Sequence, residues 1–279
     1  MMMSDSANSG PGFPPPGVDP TPPSAARLYD HYLGGKDNYQ SDRETARRLL
    51  AEVPELPSMA RANRAWLRRV VKYLAEEAGI RQFIDIGSGL PTQDNTHQVA
   101  HRHAPGSHVV YVDNDPIVGA HAAALLAEDP ATTAVVGEDL CHPEAILEHP
   151  ETQRLIDFTR PVGLLLVAVL HFFRDADRPY EVVAQLRDAL CPGSFIAISH
   201  VDNETAPERA AYLEEVYART SAPGQTRSRA EILRFFNGFD LIAPGLTYIA
   251  DWRPEPGDTY FPPEQAWGLG GIGHIPPTT

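Results

Sequence analysis

The stretch FIDIGSGLPT, residues 83–92, decides the fold of this chain. Its apolar residues lead into Asp85, and two glycines, Gly87 and Gly89, follow two positions apart. This pattern is typical of a buried strand that ends in a tight turn, where the backbone can approach a ligand closely. Helix-forming residues follow from the cap-like Asn95. The stretch therefore predicts the strand, glycine loop and helix that begin an open α/β sheet.

A second apolar run, residues 107–112, ends at an acidic tip that contains Asp113, Asn114 and Asp115. The number of residues between Asp85 and Asp113 in the sequence is what one helix and one strand occupy. A carboxylate at the tip of the second strand can accept hydrogen bonds from both hydroxyls of a ribose. The sequence thus predicts a nucleoside site at the carboxyl edge of the sheet, with Asp113 as the ribose ligand.

The glycine loop separates two classes of nucleoside-binding enzyme that share this layout. Oxidoreductases that use nicotinamide dinucleotides carry the pattern G-x-G-x-x-G, since a third glycine lets the helix pack closely on the strand. Here Thr92 stands at the third position. Methyltransferases that use S-adenosylmethionine have the order acid-x-Gly-x-Gly, which Asp85, Gly87 and Gly89 match. Their pattern often adds a glycine where this chain has Pro91, so the following loop is stiffer here.

Further segments carry a resemblance to a known family. Four of them are together similar to class I S-adenosylmethionine-dependent methyltransferases, namely Asp85–Gly89, Val112–Pro116, Gly137–Leu140 and Val167–Phe172. Three others resemble, more narrowly, the actinobacterial S-adenosyl methyltransferase family formerly known as a domain of unknown function: Ser24–Tyr39, Leu90–Thr92 and Asn95–His97. The resemblance runs from about Pro23 to the C-terminus. It implies a Rossmann-like α/β fold and S-adenosyl-L-methionine as cofactor.

The resemblance also implies which residues hold the cofactor. Asp85 and the backbone of residues 87–89 would bind its amino-acid end, while Asp139 and Leu140 would bind adenine. A plain alternative for Asp139 is a cap of the helix that follows. The complete set of expected cofactor-binding residues is Tyr32, Gly34, Lys36, Asn38, Asp85, Gly87, Ser88, Gly89, Leu90, Asp113, Asn114, Asp139, Leu140 and Val169.

His171 is the candidate catalytic residue. It follows the apolar run of residues 160–170, which lacks alternation and therefore predicts a central strand covered on both faces. At the end of that strand, a histidine can act as a general base or as a hydrogen-bond partner of the substrate. Because Phe172 is adjacent, His171 can equally be a packed core residue. Alignment of donor and acceptor is expected to supply most of the rate of an in-line methyl transfer.

The turn Gly34–Tyr39 has two interpretations. A pair of glycines after a predicted helix from Ser24 to Leu33 is typical of a helix C-cap. Aromatic residues on both sides, with Lys36 and Asn38 at the tip, suit instead a lid that closes over a charged small molecule. We therefore predict a lid, with a simple helix cap as the alternative.

The chain divides into three predicted parts: a disordered, proline-rich tail over residues 1–23, an N-terminal helical cap over residues 24–80 and a methyltransferase domain over residues 81–279. The sheet is expected to be mostly parallel and to end in an antiparallel hairpin formed by residues 238–242 and 246–249. The glycine-rich segment 267–273 is expected to be ordered only by docking on the domain.

The charge and composition of the chain narrow the range of possible binding partners. The formal net charge of −14 disfavours nucleic acid, so a small-molecule substrate is expected. The longest apolar run is too short to cross a membrane, and no signal peptide is recognisable, which favours the cytoplasm. The two cysteines, Cys141 and Cys191, suggest neither a disulfide framework nor a metal site. Besides a methyltransferase, two alternatives stay open: a protein that binds S-adenosylmethionine without catalysis and a nicotinamide oxidoreductase.

Overall fold

The structure is a computed structural model that describes residues 14–15, 17–91, 94–126 and 129–276. Thr92 of the glycine loop lies outside this part, as do residues 1–13 and 16 of the predicted disordered tail.

Residues 17–23 are packed rather than disordered, so the predicted boundary of the tail is wrong for them. Val18 is buried in a small apolar cluster. The guanidinium of Arg27 donates to the carbonyl of Asp19 at 3.2 Å and to the carbonyl of Pro22. The composition of residues 17–23 predicts disorder. It does not reveal that Arg27, which lies outside this segment, supplies hydrogen bonds to its backbone carbonyls.

Helices and strands alternate over most of the chain. The helices are α1 (Ala25–Tyr32), α2 (Gln40–Glu52), α3 (Leu56–Glu76), α4 (Thr96–His103), α5 (Pro116–Leu126), α6 (Pro143–Glu148), α7 (Pro150–Leu155), α8 (Pro179–Asp188), α9 (Pro207–Tyr217) and α10 (Arg229–Leu233). The strands are β1 (Gln82–Ile86), β2 (His108–Val112), β3 (Thr133–Val136), β4 (Gly163–Val167), β5 (Phe195–Val201), β6 (Asp240–Leu241), β7 (Thr247–Tyr248) and β8 (Gly268–His274). Short 3-10 turns cover Leu170–Phe172, Asp175–Asp177 and Arg234–Phe236.

One mixed sheet runs through the molecule in the order β3-β2-β1-β4-β5-β8-β6, with β7 also paired to β8. The first five strands are parallel, and β8 is antiparallel to β5. Strand order reverses between β1 and β4, which places a crevice at their carboxyl ends. The predicted α/β sheet, mostly parallel with antiparallel strands at its C-terminal side, is confirmed.

The C-terminal strands pair differently from the prediction. The expected hairpin partners, β6 and β7, do not pair with each other but both lie against β8. Segment 267–273, predicted to be ordered only by docking on the domain, lies almost entirely in strand β8, which is buried inside the sheet. Its glycines explain the error, because a Cβ at Gly270 would lie 2.8 Å from the Trp66 ring and one at Gly273 would lie 2.7 Å from Phe239. Strand positions that lack side chains admit bulky neighbours on both faces of the sheet.

The N-terminal helices pack over the carboxyl edge of the sheet. Ser24 caps α1 by accepting from the backbone N–H of Arg27 at 3.3 Å, and its hydroxyl donates to Asp115 at 2.6 Å. Arg27 and Asp42 form a buried ion pair at 2.8 Å that joins α1 to α2. These contacts fix α1 above the tip of β2. No helix among the described residues is both long and apolar enough to cross a membrane.

Candidate active site

A cavity of about 710 Å³ opens at the carboxyl edge of the sheet, beneath α1, α3 and α9. Its walls include the loops after β1, β2, β3 and β4. The crevice predicted at the reversal of strand order is therefore present. The cavity-lining residues among those predicted from the sequence are Tyr32, Asp85, Gly87, Ser88, Gly89, Asp113, Asn114, Asp139, Leu140, Val169 and His171.

The glycine loop follows β1 with a backbone that favours glycine. Gly87 and Gly89 have φ angles of 71° and 66°. A Cβ at Gly87 would lie 2.6 Å from the Cβ of Val169 and closer still to one of its methyl groups. The loop thus needs glycine at position 87 for both its conformation and its contact with the loop after β4.

Asp85 lies near the end of β1 with only 5% of its surface exposed. The hydroxyl of Thr96, the first residue of α4, donates to one carboxylate oxygen at 2.6 Å. Burial raises the pKa of Asp85, and the hydrogen bond and the nearby Arg64 guanidinium oppose that rise. The carboxylate is therefore held in place beside the glycine loop with one oxygen available to a cationic group.

Asp113 grips the glycine loop from the neighbouring strand. Its two oxygens accept from the backbone N–H groups of Gly89 at 2.8 Å and Asp115 at 2.9 Å. Each oxygen keeps a second lone pair, so the carboxylate can still accept two hydrogen bonds from a ligand. Burial raises the pKa of Asp113 to about 6 against the effect of these two bonds. This geometry suits the predicted contact with two ribose hydroxyls.

Asp139 lies just after β3 and contacts the side chain of Asn114. The amide of Asn114 donates to one of its oxygens at 2.9 Å, and the backbone N–H of Cys141 donates to the other at 2.7 Å. Asp139 does not cap α6, whose N-cap residue is His142. The cap alternative is thus excluded by the structure, and the remaining lone pairs of Asp139 face the cavity wall that Leu140 also lines.

Four predicted cofactor residues lie elsewhere. Leu90 is buried against Val18 in an apolar cluster and does not line the cavity. Gly34, Lys36 and Asn38 do not line it either. Lys36 is exposed. The structure thus places these four residues outside the cavity wall, and their contact with the cofactor stays a prediction.

The Gly34 turn is a helix C-cap. Gly34 has φ 83°, its N–H donates to the carbonyl of His31 at 3.0 Å, and the N–H of Gly35 donates to the carbonyl of Asp30 at 2.9 Å. These two bonds form a Schellman motif. The Asp30 carboxylate also accepts from the amide of Asn38 at 2.9 Å. The amide that was predicted to meet a ligand is therefore used inside the turn.

His171 lies in the 3-10 turn after β4 and lines the cavity. Ala168, just before it, takes a left-handed φ of 56°, which turns the chain sharply at the strand end. The Nδ1 atom of His171 is buried without a hydrogen-bond partner among the described residues, so Nε2 is the nitrogen that can meet a ligand. Burial, assisted by the Arg227 cation, lowers the pKa of His171 to about 3. The imidazole is therefore neutral at physiological pH.

Sequence reasoning missed Arg227, whose side chain is fully buried. Its guanidinium donates to the carbonyls of Leu170 and Phe173, at 3.3 and 2.9 Å, and so holds both ends of the His171 turn. It also donates to Asp175 at 2.8 Å and to Nε2 of His200 at 3.1 Å. His200, which the sequence places at the same edge, is thus occupied by this arginine. No motif marks Arg227, because its partners are mostly backbone carbonyls.

A second missed network joins the N-terminal helices to the strand tips. The backbone N–H of Ala168 donates to the Ser199 hydroxyl at 2.9 Å, which donates to the Asn63 side chain at 2.7 Å. Asn63 in turn donates to the Tyr29 hydroxyl at 3.0 Å. All four residues line the cavity. They fix α1 and α3 relative to the turn that carries His171.

The family of the chain follows from its match to a sequence model described as S-adenosyl methyltransferase, which covers residues 13–276. The chain belongs to this family. It is accordingly an S-adenosylmethionine-dependent methyltransferase, as the glycine loop predicted.

Two solved structures agree with membership in the S-adenosyl methyltransferase family. A candidate methyltransferase from Thermobifida fusca is 44% identical, with a TM-score of 0.88 over 95% of this chain and 99% of that one. A DUF574 family protein from Streptomyces avermitilis is 40% identical, with a TM-score of 0.86 over 91% of this chain and 98% of that one. No curated protein matches the sequence.

The N-methyltransferase NodS from Bradyrhizobium japonicum, solved with S-adenosyl-L-homocysteine, shares the fold of this methyltransferase at 9% identity. Its TM-score is 0.50 over 90% of this chain and 99% of that one. At this identity the likeness concerns the fold alone.

Proposed function

We propose that this methyltransferase transfers the methyl group of S-adenosylmethionine to a small-molecule acceptor bound within the same cavity. One observation carries the proposal: a single cavity of about 710 Å³ is lined both by the glycine loop with Asp113 and by His171. Its volume is in the range of about 300–1,000 Å³ that is usual for small-ligand sites. The site therefore has room for a donor and an acceptor molecule side by side.

The residues around the glycine loop fit the donor. Asp85 would accept from the amino group and the positive-φ backbone of Gly87 and Gly89 would admit the amino-acid chain closely. Asp113 would accept from the ribose with its two remaining lone pairs. Asp139 would accept from the adenine amine, next to Leu140.

The chemistry of the site is that of an in-line displacement. S-adenosylmethionine, when bound, supplies a methyl group on a cationic sulfur that departs as a neutral thioether. The protein has to orient the acceptor atom and exclude water, since alignment supplies most of the rate. Neutral His171 can accept a hydrogen bond from an acceptor O–H or N–H group through Nε2. Arg227 holds the turn that sets the position of this nitrogen.

Calorimetry with three ligands tests the donor assignment. We expect S-adenosylmethionine and S-adenosyl-L-homocysteine to bind and nicotinamide adenine dinucleotide not to bind. Binding of the dinucleotide alone would contradict the proposal and favour an oxidoreductase.

Methyl transfer itself is tested by incubation with a metabolite extract and isotope-labelled S-adenosylmethionine. We expect labelled product with the wild type, and at least about tenfold less with His171→Ala at unchanged cofactor affinity, because loss of the hydrogen bond at Nε2 leaves the acceptor less well aligned. Full turnover by His171→Ala would show that the histidine is a packing residue. Binding without any turnover would favour a protein that binds the cofactor without catalysis.

A further inference from the structure

One wall of the cavity, which we term the acceptor chamber, is formed by Tyr32, Phe172, Glu214 and Tyr217 together with His171. Their aromatic rings form a continuous row. The hydroxyls of Tyr32 and Tyr217 lie 3.4 Å apart, the rings of Tyr217 and Phe172 are 5.6 Å apart, and those of Phe172 and His171 are 4.4 Å apart. The row thus leads from α1 and α9 to the turn after β4.

The aromatic row carries no charge of its own. Burial raises the pKa of the Tyr217 phenol to about 12 and that of Tyr32 well above its ordinary value, so both stay protonated. His171 is neutral for the reason given above. Neutral aromatic faces attract cations through their quadrupoles, and rows of such faces are how proteins recognise amines.

Glu214 is the charged member of the chamber. One oxygen, Oε1, accepts from the backbone N–H of Thr226 at 2.6 Å and also from the Thr226 hydroxyl. The other oxygen, Oε2, is not buried and accepts no hydrogen bond from the described residues. Glu214 precedes Tyr217 by one helical turn of α9, so both side chains lie on the same face of the helix.

The charge of Glu214 has no counterion within the described part of the chain. Among the other charged residues of the cavity, Arg174 pairs with Asp177 at 3.4 Å, and the Arg64 guanidinium lies near Asp85. A neutral or acidic molecule in the chamber would leave this carboxylate uncompensated as water is displaced, which is costly. An ammonium group would remove that cost.

Thr226 also ties Glu214 to the catalytic turn. The adjacent residue, Gln225, donates its backbone N–H to the carbonyl of His171 at 2.8 Å. The carboxylate of Glu214 and the backbone of His171 are therefore anchored to consecutive residues of one loop. A ligand group that meets Oε2 of Glu214 lies in the same chamber as Nε2 of His171.

We propose that the methyl acceptor is an amine attached to an aromatic or apolar body, with the amine at Glu214 and the body along the aromatic row. This inference rests on the proposed function and names its acceptor class. The carboxylate of Glu214, the uncharged aromatic row and the neutral His171 all suit such a molecule.

Transfer to an amine balances without a further reactant. The ammonium form of the acceptor first releases one proton to water. The nitrogen lone pair then forms a bond to the methyl carbon while the carbon–sulfur bond breaks and its electron pair stays on sulfur. The positive charge passes from sulfur to the methylated nitrogen, where Glu214 again faces a cation.

Matched ligands test the inference on protein saturated with S-adenosyl-L-homocysteine. The probes are tyramine, the corresponding alcohol 4-hydroxyphenethyl alcohol and the corresponding acid 4-hydroxyphenylacetate, each measured by calorimetry. We expect tyramine to bind at least about tenfold more tightly than the alcohol, since a charge-assisted hydrogen bond supplies that factor. The acid should bind most weakly.

Two isosteric variants test whether Glu214 causes the preference for tyramine. Glu214→Gln keeps an oxygen for Thr226, so it should fold normally and lose the preference for tyramine. Glu215→Gln is the matched control, because Glu215 is exposed and forms only a surface ion pair with Arg219 at 3.2 Å. Glu215→Gln removes one negative charge from the neighbouring residue, and this variant should still prefer tyramine to the alcohol.

The outcomes separate this inference from the proposed function. Equal affinity for amine and alcohol, preference for the acid, binding of none of the probes, or a preference that persists in Glu214→Gln would each overturn the amine assignment while binding of S-adenosyl-L-homocysteine stands. Failure of S-adenosyl-L-homocysteine itself to bind would overturn the proposed function instead, and the amine assignment with it.

Discussion

The Gly34 turn and the Gly87 loop look alike in sequence, since each combines two glycines with hydrogen-bonding side chains. They also share a backbone conformation, with φ angles of 83° at Gly34 and 71° at Gly87. Yet the first closes helix α1 away from the cavity, whereas the second lines it. The preceding element decides the difference. A helix end uses its turn to satisfy its own carbonyls, whereas the end of a parallel strand opens into the crevice of the sheet.

An aspartate organises each of these two turns, but among the residues that the structure describes only Asp113 of the two lines the cavity. Asp30 is buried and accepts from the backbone N–H of Asp37 at 3.0 Å and from Asn38 at 2.9 Å. Asp113 accepts one backbone bond on each oxygen and lines the cavity with its other lone pairs. The comparison teaches that a pair of glycines marks a site only where a neighbouring strand places an acceptor at the cavity.

The largest effect is expected from Gly87→Ala. An added Cβ overlaps Val169, and alanine disfavours the left-handed backbone. These two costs together lower the free energy of unfolding by about 2–5 kcal/mol. We also expect loss of S-adenosylmethionine binding because the loop must move. Urea denaturation and calorimetry measure the two quantities.

Gly106→Ala is the control for this substitution, because Gly106 has a similar φ of 79° and nothing lies within 4 Å of an added Cβ. It should lower stability by only about 1–2 kcal/mol and leave the affinity unchanged. Retention of full affinity by Gly87→Ala would mean that the loop does not hold the cofactor.

An intermediate effect is expected from Asp113→Asn. Loss of the carboxylate weakens charge-assisted hydrogen bonds of about 1.5–3 kcal/mol each, so the affinity for S-adenosylmethionine should fall about tenfold or more. Asp157→Asn, a change at an exposed turn outside the cavity, should leave it unchanged.

The Asp113 carboxylate should also make the affinity for S-adenosylmethionine depend on pH. Because its pKa is raised to about 6 in the free protein, Asp113 is charged above that pH and protonated below it. Ribose hydroxyls donate to the charged form, so affinity should be full above pH 6 and should fall as the pH drops through this value, by up to about tenfold per unit. Calorimetry from pH 5 to 8 should show this slope in the wild type and its absence in Asp113→Asn. An identical slope in both proteins would assign it to another group.

The smallest effect on binding is expected from Gly35→Ala. An added Cβ would displace the Asp30 carboxylate, which lies 2.6 Å away at its farther oxygen, and so break the bonds that it accepts. The free energy of unfolding should fall by about 1–3 kcal/mol, while the affinity of the folded protein for S-adenosylmethionine stays the same. A weakened affinity, or ligand-induced protection of amides 34–39 in hydrogen exchange, would restore the lid interpretation.

The sequence predicted the parallel half of the sheet and its site because each element there carries its own local signal. Apolar runs end at Asp85, Asp113 and Asp139, and the structure brings all three tips to one cavity. The predicted lid residues Lys36 and Asn38 do not line this cavity. Composition does not tell a turn that closes on itself from one that closes on a ligand. Arg227 carried no signal, since its partners, several of them backbone carbonyls, are mostly distant in sequence.

Strand β8 escaped prediction for a different reason. Its residues 268–274 include four glycines, which as a rule weaken a strand. The rings of Trp66, Phe236 and Phe239 pack against those glycines and leave no room for side chains there. Only this packing shows why the strand needs glycine. Such contacts join distant parts of the chain, and no local pattern contains them.

The place of β8 has a consequence for biosynthesis. It pairs along the whole length of Phe195–Val201, yet it leaves the ribosome after every other strand of the sheet that the structure describes. Until it arrives, β5 presents an open edge of buried, apolar residues to any other nascent chain. The nascent protein is thus exposed to misassembly from the synthesis of Val201 until that of His274, and chaperone capture of β5 would be most valuable in that interval.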